Sequence, residues 1–306
     1  MKNKYISYIH DVRRYSERTC EIYADVLESF VSFCDGCEDF AATLNVNALR
    51  AYEVYLFDDR KLSARTVSQH LSVLSGFCRF LIKEGVLQSN PVHLVKRPKQ
   101  EKRLPLFYKD KSMDAYFEST KGDPEFGSYE QKLNRLIISM LASCGLRRSE
   151  LISLNVGSVD FARSTLRVHG KGDKVREIPL IPSLCDEISL YLKAVSSLTD
   201  DAYDPAAPLL RTRSGARLYP VYVDRVVKKE LSGVPDITVR RSPHVLRHTL
   251  ATELLADGAD LNSIKELLGH SSLAATQVYT HNSVERLQNV YKNAHPRAKN
   301  GGKNGD

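Results

Sequence analysis

Residues 242–281 read SPHVLRHTLATELLADGADLNSIKELLGHSSLAATQVYTH, and the rest of the chain is organised around this stretch. Ser242-Pro243 predicts a helix start, with serine at the N-cap and proline at the first helical position, where its missing N–H costs nothing. His244 and Arg247 then lie three apart on one face near the helix N-terminus. Free N–H groups and the helix dipole favour an anion there. Leu250, Leu254 and Leu255 carry an apolar face onward to Gly258. A second helix is expected over about 261–268, ending at Gly269 in the C-cap position and delivering His270 just beyond it. Ser272 caps an expected third, short helix that bears Tyr279. Two readings compete. The polar residues either face water on packed helices, or form a phosphate site in which Tyr279 attacks a group surrounded by His244, Arg247 and His270. Each residue alone fits the first reading; the set together favours the second.

At 306 residues the chain has room for two domains of ordinary size. Hydrophobic content of 42% and charged content of 26% are those of a globular protein with a sizeable core. A formal net charge of +7 suits a polyanionic partner. Of the six cysteines, Cys34 and Cys37 form a lone C-x-x-C with no second pair or histidine to complete a zinc set. Reduced thiols are expected. The N-terminal residues carry no apolar core of signal-peptide length, and no segment approaches the roughly 18 apolar residues of a membrane span. A cytoplasmic protein is the expectation.

Residues 1–95 read as a bundle of about four helices. Ile22, Val26, Leu27, Phe30 and Val31 follow helical spacing behind an N-cap at Ser16. Asn45 can cap a shorter helix through Leu56. Ser63 opens the most regular one, with Val67, Leu71, Leu74, Phe77 and Leu81 as its stripe and Gly85 as its end. No acid, base or nucleophile constellation occurs there. Residues 96–105 carry Lys96, Arg97, Lys99, Lys102 and Arg103 with two prolines and no apolar period, which makes a linker. Such a strap is either solvated or laid along a phosphate backbone.

A second domain is expected over residues 106–294. Leu133, Leu136, Ile137, Met140 and Leu141 mark a helix that stops at Cys144-Gly145. Arg147 and Arg148 follow the break: both reach solvent, or one is aimed inward. Leu166 and Val168 alternate with polar residues, Gly170-Lys171-Gly172-Asp173 turns, and 175–180 returns. This is a β-hairpin, joined by a short strand near 159–161. Lys171 at its tip is either solvated or swung onto a phosphate. Helices follow at about 183–196 and 219–232. The loop between them holds Arg211, Arg213 and Arg217, with phosphate contacts in view.

These motifs carry a resemblance. Gly145-Leu146-Arg147-Arg148-Ser149-Glu150-Leu151, Gly170-Lys171-Gly172, His244-Val245-Leu246-Arg247-His248, Leu268-Gly269-His270 and Thr276-Gln277-Val278-Tyr279-Thr280-His281 stand in the order and spacing of the tyrosine recombinases. The chain looks most like the Xer type, over nearly its whole length. Its ending, Ala294-His295-Pro296-Arg297-Ala298, is similar as well. The resemblance implies a mainly α fold with a small β-sheet. A helical, SAM-like core-binding domain and an α+β catalytic domain would close as a C-shaped clamp on duplex DNA. It assigns the catalytic arginine after Gly-Leu to Arg147, gives Glu150 a supporting place, and makes Lys171 the general acid for the departing 5′ oxygen. It also implies four protomers on two DNA sites, each docking a helix after Tyr279 into a neighbour, and a place on the bacterial nucleoid. Residues 295–306 are expected to be a disordered tail. Cys144 stands where the family often has threonine, and Arg148 where a smaller or apolar residue is usual.

The residue types suit that chemistry. A covalent phosphotyrosyl link keeps the bond energy that hydrolysis would lose, so no external energy source is needed. Supplying phenolate at pH 7 from a pKa of about 10 costs about 4 kcal/mol, which a dense positive site offsets. Arg147 and Arg247 can grip nonbridging oxygens with planar, permanently charged forks. His270 can donate a further hydrogen bond; His244 can donate one or accept the tyrosine proton. Loss of one donor should cost on the order of 100-fold. No metal or other cofactor is called for, because the carboxylate cluster of a two-metal nuclease is absent from the sequence. Two alternatives share these features: a type IB topoisomerase, and a DNA-binding regulator without catalysis.

Overall fold

Serine and asparagine side chains set where the first helices begin. In the computed structural model, which describes residues 1–34, 43–99, 106–121, 127–170, 174–198 and 204–269, Ser16 caps α2 (Glu17–Phe33), Asn45 caps α3 (Val46–Asp58) and Ser63 caps α4 (Ala64–Lys83). Each cap oxygen accepts from the backbone N–H three residues on, at 3.3, 3.0 and 3.3 Å respectively. An unpaired donor of the first turn is satisfied each time. A short α1 (Lys2–Ser7) precedes them and runs into a π-helical turn over Tyr8–Val12. The chain divides into two compact units, Met1–Arg103 and Leu104–Asp306.

In the first unit the apolar stripe of α4 supplies the core. Val67, Leu71, Leu74, Phe77 and Leu81 are fully buried, beside Leu27 and Phe30 of α2 and Leu49 and Tyr52 of α3. Each such side chain stabilises the unit by about 1.5–3 kcal/mol relative to exposure. The Tyr52 phenol stays satisfied at depth through Ser29 Oγ and His70 Nδ1, both at 2.9 Å. Gly85 takes up a left-handed conformation just past the end of α4, and Asn90-Pro91 opens a 3₁₀ turn, Pro91–Leu94.

The second unit is built round α6 (Tyr129–Cys144), which packs against α8 (Pro182–Ser196), α9 (Pro220–Glu230) and α10 (Pro243–Ala256). A capping box between Ser128 and Gln131 starts α6, and Gly145 at φ 58° ends it. Two short helices of this unit are α7 (Arg148–Ser153) and α11 (Leu261–Leu268). The strands β1 (Val159–Asp160), β2 (Thr165–His169) and β3 (Val175–Pro179) form an antiparallel sheet in that order. Leu166 faces Ile178 and Val168 faces Arg176 across the β2–β3 ladder. Gly170 N–H donates to Lys174 O at 2.7 Å at the base of the turn.

The fold is therefore mainly helical with one small sheet, as the sequence implies. It departs from the sequence reading in three places. A helix α5 (Asp110–Ser119) occupies a stretch for which the sequence reading names no element, although Met113, Tyr116 and Phe117 stand at i, i+3 and i+4 and reach the core. Leu255 is 53% exposed and does not continue the apolar face of α10. Ser242 holds the N-cap position of α10, but its hydroxyl caps nothing. Tyr108 fixes that entry instead: its phenol donates to Arg240 O at 3.1 Å and accepts from Ser242 N–H at 3.2 Å. None of the described helices is long and apolar enough to cross a membrane.

Candidate active site

The break after α6 turns one arginine inward and leaves the other outside. Gly145 is required there twice over. Its left-handed φ suits glycine, and a Cβ would lie 2.6 Å from Leu268 Cδ2 and 3.0 Å from Leu250 Cδ2. The turn so made leads to Arg147 at the N-cap position of α7, whose N3 residue is Glu150. Glu150 accepts from Arg147 N–H at 2.9 Å and from Arg147 Nη1 at 2.6 Å. Arg147 Nη2 reaches Gly269 O at 2.9 Å. Arg148 points away and pairs with Asp224 of α9, with both side chains more than a third exposed. Of the two arginines at the break, the inward one is Arg147.

Arg247 comes to the same place from α10. It is buried, and its guanidinium donates from Nη1 to Gly145 O and from Nη2 to Leu268 O. Burial, with the positive charges of Arg147 and Arg176 against the one Glu150 carboxylate, lowers it to about 10. It remains charged at neutral pH.

A third arginine closes the cluster, and the sequence reading missed it. Arg176 lies on β3 beside Ile178 in the inward alternation and is 5% exposed. Its Nη1 and Nη2 grip the Glu150 carboxylate at 3.1 and 2.8 Å, and its Nε donates to Leu267 O at 2.9 Å. Burial alone would raise Glu150, but the hydrogen bonds and charge of Arg176, joined by Arg147, bring it down to about 2. The signal was present in the period-two pattern: an arginine on the Ile178 face must be buried, and a buried guanidinium needs an anionic partner.

The three guanidiniums thus hold three successive carbonyls at the end of α11: Arg176 on Leu267, Arg247 on Leu268 and Arg147 on Gly269. The last carbonyls of a helix have no intrahelical partner, and the helix dipole is negative at that end. Gly269 sits at φ 65°, where a Cβ would lie 3.1–3.4 Å from the Arg176 guanidinium.

His244, at the second position of α10, is exposed on the surface. Partial burial, then the positive charges of His248, Arg148, Arg247 and Arg240, lower its pKa, which favours neutral imidazole at pH 7. Of the six predicted site residues, the described structure brings Arg147 and Arg247 onto adjacent peptide groups and puts His244 one helical turn before Arg247. Lys171, His270 and Tyr279 lie outside the described residues.

The predicted DNA contacts divide. Lys96, Arg97 and Lys99 are exposed, and Arg97 folds back to donate to Ser72 Oγ of α4 at 2.9 Å. Lys102 and Arg103 lie outside the described residues. Arg213 is exposed, whereas Arg211 is half-buried with its Nε on Pro208 O at 3.1 Å. Arg217 donates from Nη1 to Ile152 O at 2.7 Å and Leu154 O at 3.1 Å, and from Nη2 to Asn155 Oδ1 at 2.6 Å, fastening the end of α7.

Comparison with known proteins gives the family and the fold. Residues 125–286 match the model of the phage integrase family, and residues 3–86 match the phage integrase N-terminal SAM-like domain. The tyrosine recombinase XerC of Bacillus subtilis is 35% identical over 308 residues, spanning 96% of this chain and 95% of the relative. The fold is similar to that of a XerH site-specific recombinase bound to palindromic difH substrate in a post-cleavage complex. That match has a TM-score of 0.68 at 21% identity and covers 95% of this chain and 84% of the other. The Tn1549 transposon integrase in complex with transposon right-end DNA is similar at a TM-score of 0.68 and 18% identity, covering 98% of this chain and 97% of the other.

Proposed function

Since this chain belongs to the phage integrase family, as a tyrosine recombinase of the Xer type, we propose that Tyr279, Arg147, Lys171, His244, Arg247 and His270 together carry its chemistry. The enzyme exchanges DNA strands at a specific site. Tyr279 attacks the scissile phosphate and forms a 3′-phosphotyrosyl bond while the 5′ oxygen departs with a proton from Lys171. The free 5′ hydroxyl of the partner strand then attacks that bond, expels Tyr279, and leads through a Holliday junction to joined products. Phosphorus keeps its ester count at every step, so no nucleotide cofactor is consumed. Arg147 and Arg247 hold the nonbridging oxygens as negative charge builds on five-coordinate phosphorus, with His270 as a further donor. Neutral His244 is suited to take the phenol proton.

The observation that carries this reading is the meeting of Arg147 and Arg247 on the adjacent carbonyls of Gly269 and Leu268, directly before His270 in the chain. A topoisomerase or a silent regulator is not favoured by relatives that bear the name recombinase over their whole length.

Around this centre we infer residues 1–95 and 106–294 as two domains that each bind duplex DNA, with Lys96, Arg97, Lys99, Lys102, Arg103, Arg211 and Arg213 in contact with phosphates. Four protomers, of one or two kinds, would assemble on two sites through the segment after Tyr279, in the cytoplasm where the DNA is. Housekeeping resolution of chromosome dimers, integration, excision and inversion all use this step. Mapping the binding site in the source genome chooses among them.

A nicked duplex carrying that site traps the covalent step, because the short cleaved piece diffuses away. Wild-type protein should accumulate a protein–DNA adduct stable to denaturation, and Tyr279→Phe should form none. An adduct with the phenylalanine variant would show that the nucleophile is another residue.

A further inference from the structure

We propose that Arg176 is a positioning residue for strand cleavage: from β3 it holds Glu150, and through Glu150 the Arg147 fork, while it anchors the end of α11 from which the chain runs to His270. The proposal rests on the recombinase reading of Tyr279 and Arg147.

Three observations carry it. Arg176 is among the most buried charged side chains described, and all its recorded hydrogen bonds go to groups that also serve the site. Its fork takes both Glu150 oxygens, at 3.1 and 2.8 Å, and the same two oxygens receive Arg147 at 2.6 and 2.9 Å. The carboxylate is therefore shared, and its direction in space is set from the β3 side. Finally, Arg176 Nε on Leu267 O stands next to Arg247 on Leu268 O and Arg147 on Gly269 O, so one strand residue ties the two phosphate-gripping arginines and the approach to His270 into a single unit. A planar fork can do this and an ammonium cannot, because three donors must point in fixed directions at once.

A purely structural role would also use such a pair, so the test separates the two. The full chain and its Arg176→Lys variant are compared on the nicked duplex under single turnover, with site affinity measured in parallel and the folded fraction taken from thermal melts. The cleavage rate at saturating protein should fall on the order of 10–100-fold, as misplacing a catalytic group by about 1 Å does, while site affinity stays within titration error. In an Arg147→Ala background the same change should add little, because Arg176 acts through Arg147. Wild-type cleavage per folded molecule would overturn the proposal, and so would losses that multiply across the two variants. Should Arg176→Lys melt below the assay temperature, Glu150→Gln with Arg176→Gln removes both charges at once and leaves no uncompensated ion in the core. That double variant should fold and cleave slowly; cleavage at the wild-type rate overturns the proposal. Tyr279→Phe runs alongside. If wild type gives no Tyr279-dependent adduct, the recombinase reading itself falls; if it does and Arg176→Lys matches it, only the role of Arg176 is lost.

Discussion

Two carboxylates of the second unit are driven in opposite directions by their surroundings. Burial, with Asp110, Asp114 and Asp257 facing it, pushes Glu253 of α10 up to about 8. An unfolded glutamate ionises near pH 4.3. Between that value and about 8 the unfolded chain gives up a proton that the folded chain keeps, so stability falls as pH rises through this window. Glu253→Gln removes the penalty: at pH 7.5 it should melt about 2–4 °C above wild type, the shift for about 1 kcal/mol in a chain of this size. The gap should close towards pH 5, and thermal melts across that range measure it. A gap that stays constant with pH would place the gain elsewhere. Glu150 runs the other way. Its folded value of about 2 lies below the unfolded one, so its pairing with Arg176 and Arg147 stabilises above the unfolded pKa and is lost as pH falls towards 2. Local sequence shows only part of this: Arg147 lies three residues from Glu150 and Asp257 four from Glu253, but Arg176, Asp110 and Asp114 come from other elements.

At the scale of elements, boundaries were legible where a side chain closes its own helix. Ser16, Asn45 and Ser63 cap what they were expected to cap, and Gly145 and Gly269 end α6 and α11 in left-handed conformations. Legibility failed where a distant group does the work. Tyr108, over a hundred residues upstream, secures the start of α10 in place of the Ser242 hydroxyl. The α5 helix was legible, from Met113, Tyr116 and Phe117 at i, i+3 and i+4, but the sequence reading names no element there. Two of the six predicted site residues, Arg147 and Arg247, are named by the family resemblance, but the third guanidinium needs the inward alternation of β3. Gly145 offers the sharpest element-level test. An added methyl would meet Leu268 and Leu250 while holding a strained φ, so Gly145→Ala should cost about 2–4 kcal/mol from overpacking and backbone strain together. Chemical denaturation should show the lower midpoint, and adduct formation should drop with it because the peptide that positions Arg147 must move. A midpoint at the wild-type value would mean that α11 yields freely to the methyl.

For the whole molecule, a formal net charge of +7 suits a polyanion, but the number of phosphates neutralised sets how DNA binding answers to salt. If phosphate contacts supply most of the affinity, log K falls linearly with log salt at about 0.9 per phosphate neutralised. Replacing the exposed Lys99 with Gln should then lower that slope by about 1 and weaken all sequences alike. A salt titration of site and non-site duplexes reads both, and an unchanged slope would remove Lys99 from the interface. The fastening of α11 has a consequence for redesign as well. A template of the six proposed reactive side chains, grafted onto a new scaffold, would reproduce the chemistry's vocabulary without its syntax. Arg147 is held by Glu150, which Arg176 holds in turn, and by Gly269 O, while Arg247 is held by Gly145 O and Leu268 O. The smallest transplantable piece is therefore the whole joint between a strand and two helix ends, and a search for similar sites should match those backbone oxygens along with the side chains.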